Sequence, residues 1–371
     1  MTPGLLRIGL ATTTTEPGLT GGRLDGIGVY SNALLRELPA VGCAVHPFSF
    51  GPATALTVGR PLPRSLPLAM LADLAGARMA LDVDIFHATD YRIVRMDCPV
   101  VATLHDALPI AHPEWCNPRL RGLKNRLQAR GARQADHVIA VSHYAIAELV
   151  QYFGVDERRI SVVHNGVDEA WLDAVPAERV ELTLRELGLR AGYFLTVGTL
   201  QPRKNIERLL QAYLGLPASI RAQRQLVIVG APGARSEDVV NRIRAAQQNG
   251  ENVVWLDRLT SFEQLRHVYA GAGVFVFPSL YEGFGIPVVE AFASGVPVVA
   301  SNATSIPEVS AGAAIDVDPL SVAAIGGAML ELARDEALRR RCSAAGTVRA
   351  LQLTWRETAR KTAAVYRSIL K

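Results

Sequence analysis

The sequence holds little of what would mark a secreted, membrane-spanning or nucleic-acid-binding chain. Of its 371 residues four are cysteines, Cys43, Cys98, Cys116 and Cys342. They are scattered, without the close pairs of a zinc site or the density of a disulfide-stapled domain, so a reducing, cytoplasmic compartment is expected. No stretch reaches the roughly 18 to 20 uninterrupted apolar residues of a membrane span. The apolar run from Met1 to Ala11 is short and broken by Arg7. Charge of one sign is scarce too: Lys+Arg 39 against Asp+Glu 35 leaves +4. The pI near 9.0 therefore reflects a small surplus and gives no case for nucleic acid. Low-complexity tracts and short repeats are missing. What is there is 49% apolar and 20% charged residues with Gly 31 and Pro 21, the profile of a folded protein. At about 150 residues per domain the length accommodates roughly two to two and a half domains.

Leu5 to Ala11 reads as a short buried strand, followed by a Thr- and Gly-rich loop and a helix from about Gly28 to Leu38, with Tyr30, Leu34, Leu35 and Leu38 on one face. Apolar runs continue at Ala44–Phe50, Ile85–Ala88, Val100–Leu104, His137–Val141 and Ile160–Val163, separated by helical stretches. Such alternation builds a parallel sheet covered by helices. A polar, proline-containing segment breaks the pattern, and Tyr193–Val197 starts a second series. The expected organisation is a domain over residues 1–170, a linker over 171–190, a second doubly wound domain over 191–352, and a C-terminal helix over 353–371 that packs back on the first domain. Two such domains would place the carboxyl ends of two sheets at one interdomain cleft, where open parallel sheets bind ligands.

The most informative segment runs from Phe277 to Ala291. It leaves a strand, turns on Gly283 and Gly285, and enters a helix at Pro287, a residue suited to the first helical turn. Backbone N–H groups of such a loop, together with a helix N-terminus, can face an anion such as a phosphate. Glu282 stands before the loop and Glu290 one turn inside the helix, so the two carboxylates can reach different parts of one ligand and accept hydrogen bonds from sugar hydroxyls. The plain alternative is that Glu282 caps a turn and Glu290 is an ordinary helix residue. Phe284, within so tight a loop, is poorly explained by surface placement.

This segment, Ser279–Gly295 with Glu282 and Glu290 in an E-x7-E pattern, resembles the signature of glycosyltransferase family 4. The likeness continues at Asp25-Gly26-Ile27-Gly28-Val29-Tyr30, Thr103-Leu104-His105-Asp106, His164-Asn165-Gly166-Val167-Asp168, Val197–Asn205 and Pro307-Glu308-Val309. The resemblance implies a GT-B fold, two Rossmann-like domains facing each other across a cleft, the first binding acceptor and the second the nucleotide-sugar donor. It implies a retaining, metal-independent hexosyltransferase.

Arg203 and Lys204 lie between a strand and a helix, where two cations are unfavourable unless an anion joins them. The resemblance makes them the diphosphate contacts, countering the charge of the leaving group. It gives Glu290 the ribose hydroxyls, Glu282 the hydroxyls of the transferred sugar, and Phe284, Gly285 and Ile286 backbone contacts. Gly26 and Gly28 would let the first-domain loop approach the diphosphate; as a dinucleotide fingerprint that loop fails, because Ser31 replaces the third glycine. His105 follows an apolar strand and by resemblance sits beside the donor sugar as the catalytic partner of Glu282, with Asp106 orienting it. No covalent nucleophile stands out.

Asp82-Val83-Asp84 and Asp316-Val317-Asp318 match a D-x-D metal pattern expected about once by chance in such a chain, and no metal or other cofactor is expected. Arg119, Arg121, Lys124, Arg126, Arg130 and Arg133 form a basic stretch without an acid, with Leu120, Leu123 and Leu127 at helical spacing. It suits either a solvated helix or a helix on an anionic membrane surface. The resemblance is closest to branches that add mannose or rhamnose to O-antigen chains. That implies transfer from a GDP-linked sugar to a glycan or lipid-linked glycan in surface-polysaccharide assembly. A UDP-sugar donor, a sugar-nucleotide epimerase or hydrolase, and a non-catalytic nucleotide-sugar binding protein are the alternatives.

Overall fold

A computed structural model describes residues 5–22, 24–116, 121–259 and 261–370. The chain divides into two compact units, one of Met1–Glu114, Pro118–Gly166 and Thr354–Lys371, the other of Trp115–Asn117 and Val167–Leu353.

The first unit holds a parallel sheet of β1 (Leu6–Ala11), β2 (Cys43–Ser49), β3 (Arg60–Pro61), β4 (Ile85–Ala88), β5 (Val100–Leu104), β6 (His137–Ala140) and β7 (Ile160–Val162), in the order β3-β2-β1-β4-β5-β6-β7. Strands such as Val100–Leu104 are buried along their whole length, which is why they read as continuous apolar runs rather than alternating ones. The strand order reverses between β1 and β4, so the crevice for a ligand lies where the loops after these strands part. The helix Trp355–Ile369 belongs to this unit. Its Ala359 and Ala363 are buried, and Tyr366 Oη meets His87 Nδ1 at 2.6 Å. Burial, with His105 nearby, pushes His87 down to about 3, so it is neutral and serves as a core hydrogen-bonding group.

The second unit is a six-stranded parallel sheet of β8 (Tyr193–Val197), β9 (Leu226–Val229), β10 (Val253–Leu256), β11 (Ala272–Phe277), β12 (Val298–Ser301) and β13 (Ile315–Val317), ordered β10-β9-β8-β11-β12-β13. Helices 206–214, 237–248, 262–270, 286–293, 322–334 and 336–351 accompany it, and Phe194, Ile228, Val274, Val276 and Val299 are buried with Leu209, Tyr213 and Leu332 in its core. Here the order reverses between β8 and β11.

The expectation of a linker over 171–190 is corrected. Ala177–Glu186 is a helix with Thr183 and Leu184 buried, Thr183 Oγ1 lies 2.7 Å from His267 Nδ1, and Trp171 packs edge-on to Tyr269. An amphipathic stripe through Val180, Leu184 and Leu187 needs a partner surface, and the helix Phe262–Ala270 of the second unit supplies it.

Candidate active site

The loops after β8 and β11 meet at the reversal point of the second sheet. After β8 the chain forms a short turn, Pro202–Lys204, and Asn205 adopts a left-handed conformation (φ 59°) before the helix Ile206–Leu214. Asn205 Nδ2 donates to Pro278 O at 2.9 Å and Pro319 O at 2.7 Å, and Leu280 N donates to Arg203 O at 2.7 Å. These bonds fix the basic turn against the loop that carries Glu282.

Arg203 Nη1 donates to Glu282 Oε2 at 2.7 Å, and Lys204 Nζ to Glu282 Oε1 at 2.6 Å. Glu282 is 7% exposed and Lys204 8%, so the triad is largely withdrawn from water. Burial alone would raise Glu282, but the charges of Arg203 and Lys204 outweigh it and hold its carboxyl at about 2. Burial lowers Lys204 to about 8 against the opposing pull of Glu282. At neutral pH the three groups are ionised and carry one net positive charge. Glu282 is thus the anion that joins the two cations within the protein itself, and the surplus charge remains to attract a ligand anion.

Glu282 is held by its backbone as well. Its N–H donates to Thr304 Oγ1 at 3.2 Å, and Ser305 Oγ donates to the carbonyls of Glu282 and Phe284 at 2.8 and 3.1 Å. Phe284 is buried, as its place in the loop suggested, and its carbonyl is taken by Ser305. Gly285 caps the helix Ile286–Ala293 at φ 107°, where a side chain would be strained and a Cβ would lie 2.6 Å from Ile306 Cδ1, so glycine is strongly favoured there. Glu290 accepts from Tyr269 Oη at 2.9 Å. Burial pushes Glu290 up to about 7, against that hydrogen bond and the charge of Lys204.

In the first unit His105 follows β5 at the carboxyl edge of the sheet. Its Nε2 lies 3.2 Å from Thr89 O and its ring stands edge-on to Tyr30, centroids 5.0 Å apart. Burial lowers its pKa despite Asp106 and the Thr89 carbonyl, so the ring is neutral at pH 7. With Nε2–H donating to a carbonyl, Nδ1 is the free acceptor nitrogen. Asp106 does not orient it: Asp106 Oδ1 accepts from Tyr91 Oη and Leu108 N, each at 3.0 Å. The first-domain glycines differ in their reasons. A Cβ on Gly28 would lie 2.7 Å from Thr14 O and its N–H donates to Asp25 at 2.8 Å, so the chain itself requires glycine there. Gly26 has open space around its missing side chain.

Residues 24–171 match the family described as Glycosyltransferase Family 4, and residues 186–349 that described as Glycosyl transferases group 1. The O-antigen chain mannosyltransferase B of Escherichia coli is 32% identical over 286 residues, covering 76% of this chain and 74% of that protein. The chain belongs to the family 4 and group 1 glycosyltransferases. Among solved structures, sucrose-phosphate synthase from Thermosynechococcus elongatus superposes with TM-score 0.76 at 21% identity over 98% of this chain and 99% of its own. Anabaena HepE in complex with UDP-glucose superposes with TM-score 0.72 at 17% identity over 98% of each chain. The two Rossmann-like domains implied by the sequence are therefore those of this glycosyltransferase.

Three residues of the candidate site escaped the sequence reading of roles: Asn205, Thr304 and Tyr269. Asn205 and Thr304 have positive φ, a backbone state that side-chain chemistry alone does not announce, and Tyr269 reaches Glu290 from a helix 21 residues earlier. The D-x-D pairs are absorbed elsewhere. Arg7 bridges Asp82 and Asp84 at 2.6 and 2.8 Å, Asp316 lies 3.3 Å from Ser310 Oγ, and Asp318 accepts from Leu320 N. Of the basic stretch, Arg119 lies outside the described residues. Arg130, its side chain 36% exposed, donates from Nη2 to Asp73 O at 3.4 Å, while Lys124 and Arg126 are exposed. No helix among the described residues is long and apolar enough to cross a membrane.

Proposed function

We propose that this glycosyltransferase moves a hexose, mannose before D-rhamnose, from a GDP-linked donor to a glycan or lipid-linked glycan of a bacterial surface polysaccharide, with retention of anomeric configuration. The observation that carries the reading is the convergence of Arg203, Lys204 and Glu282 at the reversal point of the second sheet. Two fixed cations there receive the diphosphate and stabilise the charge that builds on its oxygen as the bond to the anomeric carbon breaks. They supply what a divalent ion supplies elsewhere, so chelation with EDTA is expected to leave the transfer rate unchanged. Mannose is favoured by the name of the Escherichia coli relative and by the form of the segment Ser279–Pro287.

Glu290 receives the ribose hydroxyls and Glu282 the hydroxyls of the sugar. Neutral His105 accepts from a donor-sugar hydroxyl through Nδ1 and supports the oxocarbenium charge. With no carboxylate assigned as nucleophile, the departing phosphate oxygen takes the acceptor proton as the acceptor oxygen bonds to the anomeric carbon on the same face.

Calorimetry with GDP, UDP, ADP and dTDP tests the donor. Selective GDP binding that is lost in Glu290→Ala is expected; selective UDP binding overturns the donor and keeps the enzyme class, and no binding overturns the site. A second expectation is pH-dependent affinity. Glu290 accepts from hydroxyls best when ionised, and its pKa is about 7. Nucleotide affinity should therefore rise between about pH 6 and 8 in the wild type and stay flat in Glu290→Gln. A wild-type profile as flat as the variant's would remove Glu290 from the ribose site.

A further inference from the structure

In the first unit the helix Leu66–Leu74 is apolar on both sides. Its own Ala69 and Asp73 are buried on the inner face, while Leu68, Leu71 and Leu74 are 60%, 62% and 50% exposed. Positions 68, 71 and 74 follow one another at three-residue spacing, so the leucines form one ridge on the outer face. A surface helix of a soluble domain carries polar residues there. The only acid between residues 60 and 78 is Asp73, and it is turned inward, accepting from Arg95 Nε at 2.7 Å. The exposed charges of this segment are Arg60, Arg64 and Arg78, which bracket the ridge.

The basic helix Arg121–Gln134 lies alongside. Arg130 Nη2 donates to Asp73 O, and Met70, Leu74, Leu127 and Arg130 line one shallow depression between the two helices. This neighbour contains no acid and adds the exposed Lys124 and Arg126. Its Leu123, one of the leucines at helical spacing in the sequence, is 57% exposed rather than packed.

We propose that the leucine ridge of Leu66–Leu74, ringed by these cations, seats the protein on an anionic lipid bilayer, the leucines entering the acyl boundary and the arginines and lysine meeting lipid phosphates. Charge selects this occupant. Five exposed cations without an exposed acid in either segment match an anionic headgroup layer, and leucines among them match the apolar depth just below it. The sequence pointed to the basic helix alone; the structure transfers the insertion to a different helix and leaves Arg130 out. The proposal rests on the reading of a lipid-linked acceptor, but its test needs neither donor nor turnover, so the two can fail separately.

The test is flotation of the full chain with vesicles of phosphatidylcholine containing about one third phosphatidylglycerol, and with phosphatidylcholine alone. The wild type is expected to float with the anionic vesicles and to be released by high salt. Combined Leu68→Ser, Leu71→Ser and Leu74→Ser should reduce the bound fraction at least about tenfold with the melting temperature kept, because the three side chains are already in solvent. Combined Arg64→Gln, Arg78→Gln and Lys124→Gln should abolish the preference for anionic over neutral vesicles. A wild type that stays unbound at low salt, or a leucine variant that floats as well as wild type, overturns the proposal. So does a wild type that elutes as a dimer which the leucine substitutions dissociate, since the ridge would then belong to a second copy.

Discussion

Replacing Lys204 by methionine is expected to lower kcat/KM for the nucleotide-sugar donor by about a thousandfold while the protein still folds. The ammonium lies 4.7 Å from the centroid of Phe277, so a methionine of similar length fills the same volume and keeps an apolar contact with the ring. Glu282 keeps its bond to Arg203 at 2.7 Å, and no buried carboxylate is stranded, so the melting temperature should fall only by a few degrees. What is lost is a positive charge held in place before the reaction starts, in a site shielded from water. Such a charge acts most on the oxygen that becomes anionic as the sugar departs. Because burial lowers Lys204 to about 8, the wild-type rate should also decline above that pH and the variant's should not. Lys204→Arg should recover little: the side chain runs past Gly198, with Cε 3.3 Å from where a Cβ would stand, and a planar guanidinium is not a substitute for a compact ammonium there. A Lys204→Met enzyme within about tenfold of wild type in kcat/KM would show that Lys204 only neutralises Glu282.

The sequence disclosed the scaffold better than its edges. Central parallel strands such as Val100–Leu104 and Leu226–Val229 are buried on both faces, so they stand out as unbroken apolar runs. Arg60–Pro61 and Ile315–Val317 do not: the first is two residues long at a sheet edge, and the second, also at an edge, overlaps the acidic triplet Asp316-Val317-Asp318 that reads as a metal motif. The helix Leu66–Leu74 is masked by Pro63 and Pro67 and by leucines on both faces, which erase the helical period. Glu336–Leu351, with three successive arginines at its start, lacks a clear apolar stripe. The candidate site residues Arg203, Lys204, Glu282 and Glu290 stood out where motif and topology coincide. Their mutual geometry did not. Glu282 joins cations 78 and 79 residues away, a pairing set by which loops the sheet order brings together. The same limit applies to Gly28, whose need for glycine comes from Thr14 and becomes visible only when the loop is folded.

Glu282→Gln is expected to separate binding from chemistry, and in the opposite sense from a loss of either cation. The amide keeps the shape and hydrogen-bonding reach of the carboxylate but not its charge, so Arg203 and Lys204 face each other with two uncompensated charges. A nucleoside diphosphate entering this site no longer competes with an internal anion, and its affinity should hold or rise. The rate should fall by about a hundredfold to a thousandfold, because a neutral amide gives less support to a sugar ring that turns positive in the transition state. Stability gives an independent readout. Glu282 has its folded pKa lowered from 4.5 to about 2; the native state therefore binds fewer protons than the unfolded one between these values, and the stabilisation is present above 4.5 and lost as pH falls toward 2. Wild type should lose its stability advantage over Glu282→Gln on acidification through that window. If nucleotide affinity and rate collapsed together in the variant, Glu282 would be a clamp that positions Arg203 and Lys204, and its direct role toward the sugar would be withdrawn.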